Sequence, residues 1–599
     1  MALSLKQQQQ VTSLRLLLVN EAWEHVQQAF FLLKSIDDPE LWSALVEDIS
    51  ISESGCMAIP DRSFINRIQE EWRPQVVFSL LRQVGRLDQL TRHQFSLSTI
   101  DLSILQDLVN LQSLYFLACA ITSDLRPLST LLNLRTIDFI DCSGVSDVSG
   151  LGTLVSLQKL NLSLASVSDV RPLRTLTSLR ALDLSSTLVS DISALRTLVS
   201  LQTLDLSATS VSDIRVLSAL TNLQGLSLRG CSSLRDLELQ GLTQLATLDV
   251  EDCDGLQTVA LDGLGALTSL NLSRICPADL RLTGLTSLTA LRLSRSAELS
   301  SLDVLQDLVS LTTLDVSVTS IQDLQHLTRL SRLQHLDLSG CTALSSLQGL
   351  EHLTALTHLN LSGCTQIRDL TPLKDLFRLT TLHLWGCHGV RDISLLAAHS
   401  VLLETLAEFV DIESGKLRIG EEIQEAFGPR HAPQVALYAA QQGGLLQGVE
   451  ALDLSTMPLS DLSPLQGMTR LTTLKLKGSS AQDIGVLAGL VQLTQLELRD
   501  FKALEDIRAL AGMTRLTTLK IWSGHGLKDI RPLASLKTLT RLTIHGAPIH
   551  DLSPLAGLTH LTRLNLAGCD AVTPDAAADL QAALPGCRIF HRFRGVERT

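Results

Sequence analysis

The sequence predicts an α/β solenoid: one short strand per unit stacked into a parallel sheet on the concave face, with short 3₁₀ or helical turns returning the chain on the convex face. Three observations predict it. A period of 22 to 23 residues, written LxxLxLxxT/CxxVSDIxPLxxLxx, runs through most of the 599 positions. Hydrophobic residues make up 45 % of the chain while aromatics are only 3 %, so the core must consist of many small similar layers rather than a few aromatic clusters. Each unit also joins a period-two stretch to a turn signature, which is one strand followed by one turn.

Residues 1–86 do not follow the period and read as a helical N-terminal cap. Trp23, Val26, Ala29, Phe30 and Leu33 fall on one helix face, and Pro39 can start a further helix at Glu40-Leu41-Trp42. A first run of repeats is expected over 87–394. After a degenerate unit from Leu87 to Asn110, its units begin at Leu111, Leu134, Leu157, Leu179, Leu201, Leu223, Leu245, Leu267, Leu288, Leu311, Leu333, Leu356 and Leu379. Alternation such as Leu182-Asp183-Leu184 marks the strand, and identical strands joined by a 16-residue return path can only stack in parallel. The return path carries Asp-Φ-x-Pro-Leu at Asp124/Pro127, Asp169/Pro172, Asp369/Pro372, Asp461/Pro464, Asp529/Pro532 and Asp551/Pro554. Asp caps a turn, and Pro is tolerated in the first turn, where its missing N–H has no partner to lose.

Residues 395–447 break the period and read as a helical insertion, with Leu402, Leu403, Leu406 and Phe409 at helical spacing. Aligning 53–85 with 413–444 matches Glu53-Ser54-Gly55 to Glu413-Ser414-Gly415 and Pro74-Gln75-Val76 to Pro433-Gln434-Val435, nine identities in 33 positions. The insertion is therefore either a second copy of the cap, giving two cap-plus-solenoid modules, or an unrelated helical piece. Repeats resume over 448–571, with units beginning at Val449, Leu471, Leu493, Leu516, Leu539 and Leu561. A C-terminal cap is expected over 572–599: Thr573-Pro574-Asp575 opens a helix, Pro585-Gly586 ends it, and Cys587 to Phe590 forms a closing strand. Caps are needed because a solenoid otherwise exposes apolar layers and strand edges at its ends.

These units resemble the leucine-rich repeat family, in the short 22-residue class of SDS22-like and bacterial internalin-like proteins, over about 480 residues. The resemblance implies a leucine-rich repeat horseshoe. It implies a non-enzymatic scaffold or sensor that recognises a protein partner, or, as the alternative, a regulatory subunit of an enzyme or effector complex. Bacterial members that are ubiquitin ligases carry their catalytic Cys in a separate helical domain, whereas Cys253-Asp254 here lies inside a repeat.

Composition narrows the function further. With 49 basic and 62 acidic side chains the net charge is −13, which opposes general nucleic-acid or anionic-membrane binding. No stretch approaches the roughly 18 apolar residues of a membrane span. The first residues lack a secretory apolar run and the last carry no lipid-anchor motif. Eleven Cys without a CxxC pair fit a reducing compartment, so a cytoplasmic protein is expected. There is no GxxxxGK[ST], HExxH or GxSxG, hence no expected catalytic residue, metal or cofactor. The acidic run Asp249, Glu251, Asp252, Asp254 fails calcium-loop spacing. Eight cysteines, from Cys119 to Cys569, share position 9 of the repeat with Thr187, Thr209 and Thr319, which points to a small inward-turned side chain rather than redox chemistry.

The outward strand positions 5 and 7 carry the candidate partner-binding site. In the first run they are a ladder of Asp, Asn and Ser, which hydrogen bonding to neighbours can account for. From strand 383 onward the columns change to His383, Trp385, Lys475, Lys477, Arg499, Lys520, Trp522 and His545, and Arg541 and Arg563 join them. Six of the 11 lysines lie between 475 and 537. Trp and Arg most often dominate binding energy, and an outward Trp adds nothing to the core. This face is expected to contact an acidic or peptide-like protein partner; contact with the inserted helices is the alternative.

Overall fold

The computed structural model describes residues 5–18, 44, 50–51, 57–58, 92–96, 99–100, 102–121, 124–275, 277–478 and 483–591. The helices expected around Trp23 to Trp42, the first copy of the aligned Glu-Ser-Gly triplet and the last eight residues lie outside them. The chain forms two compact units, Met1–Ser296 and Ala297–Thr599.

In the first unit, helix α1 spans Leu5–Leu18 and buries Val11 and Leu14. The solenoid follows as a parallel ladder of strands from Arg92–Ser96 to Ala290–Arg292, each paired with the strand of the next repeat. The register never slips: Leu182, Leu204, Leu226, Leu248 and Leu270 stand side by side. Every one of them is buried, because a one-residue slip would turn each leucine to the solvent face. Return paths such as Arg126–Thr130 and Arg171–Thr175 are 3₁₀ turns with Pro in the first turn. The Asp of the signature sits one residue ahead of the cap position and accepts the N–H two residues on, as Asp124 does from Arg126 at 3.0 Å and Asp169 from Arg171 at 2.9 Å.

Three return paths depart from that expectation. Asp236–Glu238, Thr258–Ala260 and Asp279–Arg281 form a second parallel sheet in place of turns. These repeats lack the Asp-Φ-x-Pro-Leu signature and alternate instead, as in Leu237-Glu238-Leu239, so period two wins locally.

The second unit opens with strands Thr313–Asp315, His335–Asp337, His358–Asn360 and Thr381–His383, again parallel and in register. The insertion is not purely helical, as expected from its spacing. Helix α2 (Ser400–Ala407) buries Leu402, Leu403 and Leu406, and α3 (Glu421–Gln442) follows; between them Val410–Glu413 and Lys416–Ile419 form an antiparallel hairpin. Ser414 and Gly415 both have positive φ (52° and 76°), the geometry of a two-residue hairpin turn. In the first unit Ser50–Ile51 pairs antiparallel with Met57–Ala58, so both aligned segments carry a strand pair around the Glu-Ser-Gly triplet.

The hairpin starts a new sheet. Lys416 pairs with Asp453, and parallel strands Ala451–Leu459, Thr473–Gly478, Gln495–Arg499, Thr518–Ile521, Arg541–Ile544 and Arg563–Asn565 follow, closed by Arg588–Phe590. Before the closing strand, helix α4 (Pro574–Ala583) is capped as expected: Thr573 Oγ1 accepts the Ala576 N–H at 3.2 Å, and Pro574 fills the first helical position. Among the described residues, no helix is long and apolar enough to cross a membrane.

Candidate functional site

Each strand is only three residues long in most repeats, so the backbone N–H at position 7 needs an acceptor. The Asp/Asn at position 5 supplies it: Asn161 Oδ1 accepts from Ser163 N–H at 2.8 Å, Asp183 from Ser185 at 2.9 Å, Asp205 from Ser207 at 2.8 Å. The ladder is thus first a structural device, as its hydrogen bonding allows. On the first unit these side chains also line a cavity of about 580 Å³ that runs from Asp138 to Arg292. Burial raises the Asp138 carboxyl above its ordinary value, with Lys159 acting the other way.

On the second unit the predicted residues are divided. His383 and Trp385 belong to the ladder that ends at Thr381–His383, and the other eight belong to the sheet that starts at the hairpin. Between Trp385 and Lys477 come α3 and the hairpin. Leu361 N–H donates to the next strand's carbonyl, His383 O, at 2.9 Å, whereas Leu384 N–H finds Ala426 O of α3 at 2.6 Å. Trp385 is 56 % exposed yet lies against Gly428, where an added Cβ would come within 3.2 Å of its ring. Gly428 also has φ 68°, the left-handed conformation that favours glycine, and it divides α3 into two helical segments. Trp385 therefore contacts the inserted helix.

Several expected cations carry partners. Lys475 Nζ lies 3.0 Å from Asp453 Oδ2, and Glu497, only 6 % exposed, takes Arg499 at 2.6 Å and Lys520 at 3.5 Å. Toward the end of the sheet the pattern changes. Arg541, Arg563 and Arg588 stand in register on three adjacent strands, all exposed and, among the described residues, without a carboxylate partner. The Arg563 guanidinium sits 5.0 Å from the Phe590 ring centroid. Two columns along the same strands, the rings of Trp522 and His545 are 5.7 Å apart, and Trp522 Nε1 is buried with no hydrogen-bond partner. Arg588 is absent from the sequence-based site because the closing strand lies after α4, outside the period; its place in the expected strand Cys587 to Phe590 was a signal for it.

The other candidates are structural. Cys231, Cys253, Cys341, Cys364 and Cys387 are buried, and each Sγ lies 2.9–3.3 Å from the carbonyl of an inward strand residue one repeat earlier. Burial pushes the thiols of Cys253 and Cys364 up to about 12, far from a reactive thiolate. In the acidic run, Arg274 lies 3.1 Å from Asp252 and Arg229 3.5 Å from Glu251. Among the described residues, no three His, Cys, Asp or Glu side chains are placed to hold a metal ion.

The family described as Leucine Rich repeats (2 copies) matches residues 331–375. Those residues span strands His335–Asp337 and His358–Asn360, and the same strand and turn, in the same register, recur in both units. The chain has the leucine-rich repeat fold. No curated protein sequence matches it. Among solved structures, this leucine-rich repeat protein is similar to an internalin (inlF) from Listeria monocytogenes, at 21 % identity over 62 % of this chain and 93 % of that one, with a TM-score of 0.42. A functional domain of InlJ from the same organism, which includes a cysteine ladder, is 18 % identical over 73 % and 74 %, TM-score 0.40. TLR13 in complex with ssRNA13 is 19 % identical over 83 % and 80 %, TM-score 0.39.

The Asp453–Lys475 pair makes one pH prediction. Burial alone would raise the Asp453 carboxyl, but hydrogen bonds from Ser455 and Lys475 outweigh it and hold the pKa at about 2, below the ordinary 3.8. A carboxyl depressed in the folded state stabilises above its unfolded pKa and loses that contribution as pH falls through the folded one. The stability difference between wild type and Asp453→Asn should therefore be full above about pH 4 and vanish near pH 2. Urea titrations across that range measure it; a difference independent of pH would contradict the assignment.

Proposed function

We propose that this leucine-rich repeat protein is a non-enzymatic binding scaffold whose second unit holds an acidic segment of a partner protein on its strand face. The fold is generally a protein-interaction scaffold, and a preformed sheet lets many side chains engage without an ordering cost. The observation that carries the reading is the in-register column Arg541, Arg563, Arg588. Like charges side by side on neighbouring strands repel one another, so the arrangement costs stability that an acidic ligand would offset. Trp522 and His545 add an aromatic contact, and Lys477, beside Arg499 on the neighbouring strand, a further cation. Lys475, Arg499 and Lys520 are already paired and serve to shape the face.

The test is affinity capture from lysate on the immobilised full chain, beside an Arg541→Glu/Arg563→Glu variant whose two positions are exposed and outside the core. A partner with an acidic segment should bind wild type and weaken about tenfold or more on the variant. A partner retained equally would remove the site from this face.

A further inference from the structure

A second, unrelated site lies where the insertion meets the repeats. A cavity of about 240 Å³ is enclosed by Arg391 and Ile393 after the last strand of the first ladder, by Arg430, His431 and Gln434 of α3, and by Pro458 and Ser460 at the end of strand Ala451–Leu459. We infer that this cavity is a binding site for a small phosphate-type oxyanion, free or as a phosphomonoester. Arg391 and Arg430 both line it, and no lining residue carries a carboxylate. The nearest acids in sequence are engaged elsewhere: Asp392 Oδ1 accepts the Ser394 N–H at 2.8 Å, and Asp461 is held by Ser463 and by Tyr438 Oη, 2.8 Å from Oδ2.

Three further features fit an anion. His431 is 6 % exposed, and its Nε2 is buried without any hydrogen-bond partner. An orphaned buried ring nitrogen is costly; with the other ring nitrogen donating to the Cys387 carbonyl, the neutral ring offers Nε2 as an acceptor, which a P–OH group can satisfy. Arg430 is held in place by donating from Nη1 to His388 O at 2.8 Å, which leaves its other N–H groups to serve the cavity. Arg430 and His431 also fall in the first turn of the α3 segment that starts after Gly428, where the helix dipole is positive. Burial and then the Arg430 charge keep the His431 pKa below its ordinary value, a backbone hydrogen bond to Cys387 opposing them, so the two arginines supply the positive charge. A pair of guanidiniums suits a dianion with several acceptor oxygens better than a single carboxylate. The volume is below the roughly 300–1,000 Å³ of drug-sized pockets and fits one such group.

Calorimetric titration of the full chain at constant ionic strength, with inorganic phosphate, O-phosphoserine and sodium chloride as probes, tests the inference. Arg391→Gln is the first variant, since Arg391 is exposed and makes no hydrogen bond among the described residues; Arg430→Gln is the second. Saturable binding of phosphate or O-phosphoserine that weakens about tenfold in Arg391→Gln, with an unchanged circular dichroism spectrum, is expected. Tighter phosphate binding would identify the free ion as the ligand, and tighter O-phosphoserine binding a phosphomonoester. No saturation with either probe up to about 10 mM, a concentration that corresponds to very weak binding, or equal affinity in both variants, would overturn it.

Discussion

Phe139→Ala is expected to lower the stability of the first unit by about 3–5 kcal/mol, the usual cost of deleting a fully buried aromatic ring. Phe139 is 0 % exposed and stacks on Phe116 with ring centroids 4.9 Å apart and planes 3° from parallel. Phe116 also stands in register with Phe95 one repeat earlier, and the strands are pinned in register on both sides. They cannot shift to fill the void without breaking the ladder. Each repeat contacts mainly its neighbours, so the loss also uncouples what lies before residue 139 from what lies after it. Urea unfolding should show a lower midpoint, and hydrogen exchange should quicken first in strands Ser113–Leu117 and Thr136–Ile140. A cost below about 1 kcal/mol, less than a single buried methylene group or two, would mean the layer is not close-packed.

Gln434→Ala should cost about 2–4 kcal/mol and release α3 from the repeats that follow it. Gln434 is 2 % exposed. Its Nε2 donates to Asp461 O at 2.9 Å, and its Oε1 accepts the N–H groups of Ser460 and Asp461, each at 3.0 Å. Truncation leaves three backbone groups without these partners in a partly buried place, each worth about 1–3 kcal/mol where water cannot replace the bond. Tyr438, one turn on, donates to Asp461 Oδ2 at 2.8 Å and keeps the helix nearby, so local loosening rather than global unfolding is expected. Hydrogen exchange over 429–442 reads it directly. Unchanged protection there would show that apolar packing alone seats the helix.

Much of the fold was legible because a repeat states its own periods many times. The leucines at positions 4 and 6, the Asp-Φ-x-Pro-Leu turns, and the helix and strand after Thr573 each appear where local pattern placed them. The hairpin at 410–419 was misread as helix because it is only two strands of four residues inside a helical neighbourhood, although Ser414-Gly415 is a hairpin turn signal. The second sheet at 236–281 departs from the expected turns because these repeats lack the turn signature.

For the candidate site, residue type was legible and pairing was not. Outward strand positions follow from alternation alone, so His383, Trp385, Lys475, Lys477, Arg499, Lys520, Trp522, Arg541, His545 and Arg563 could be placed on a strand or at its exit from the sequence. Which of them meet a carboxylate depends on the next strand, 22 or 23 residues distant, for Lys475 and Lys520, and on the same strand for Arg499. Asp453 pairs with one of them and Glu497 is shared by two, while the closing strand adds Arg588 to a column that no carboxylate enters.

By itself, then, the sequence determined the repeat, its register and the inward leucine core, because each depends on contacts within one unit or with an identical neighbour. Only the tertiary structure decided where the ladder ends. The N–H of Leu384 takes a carbonyl from α3 instead of a next strand, Gly428 lets that helix come up against Trp385, and the buried His431 is brought to a cavity between two arginines. Those are contacts between segments about 40 residues apart that share no repeat, and no local period encodes them.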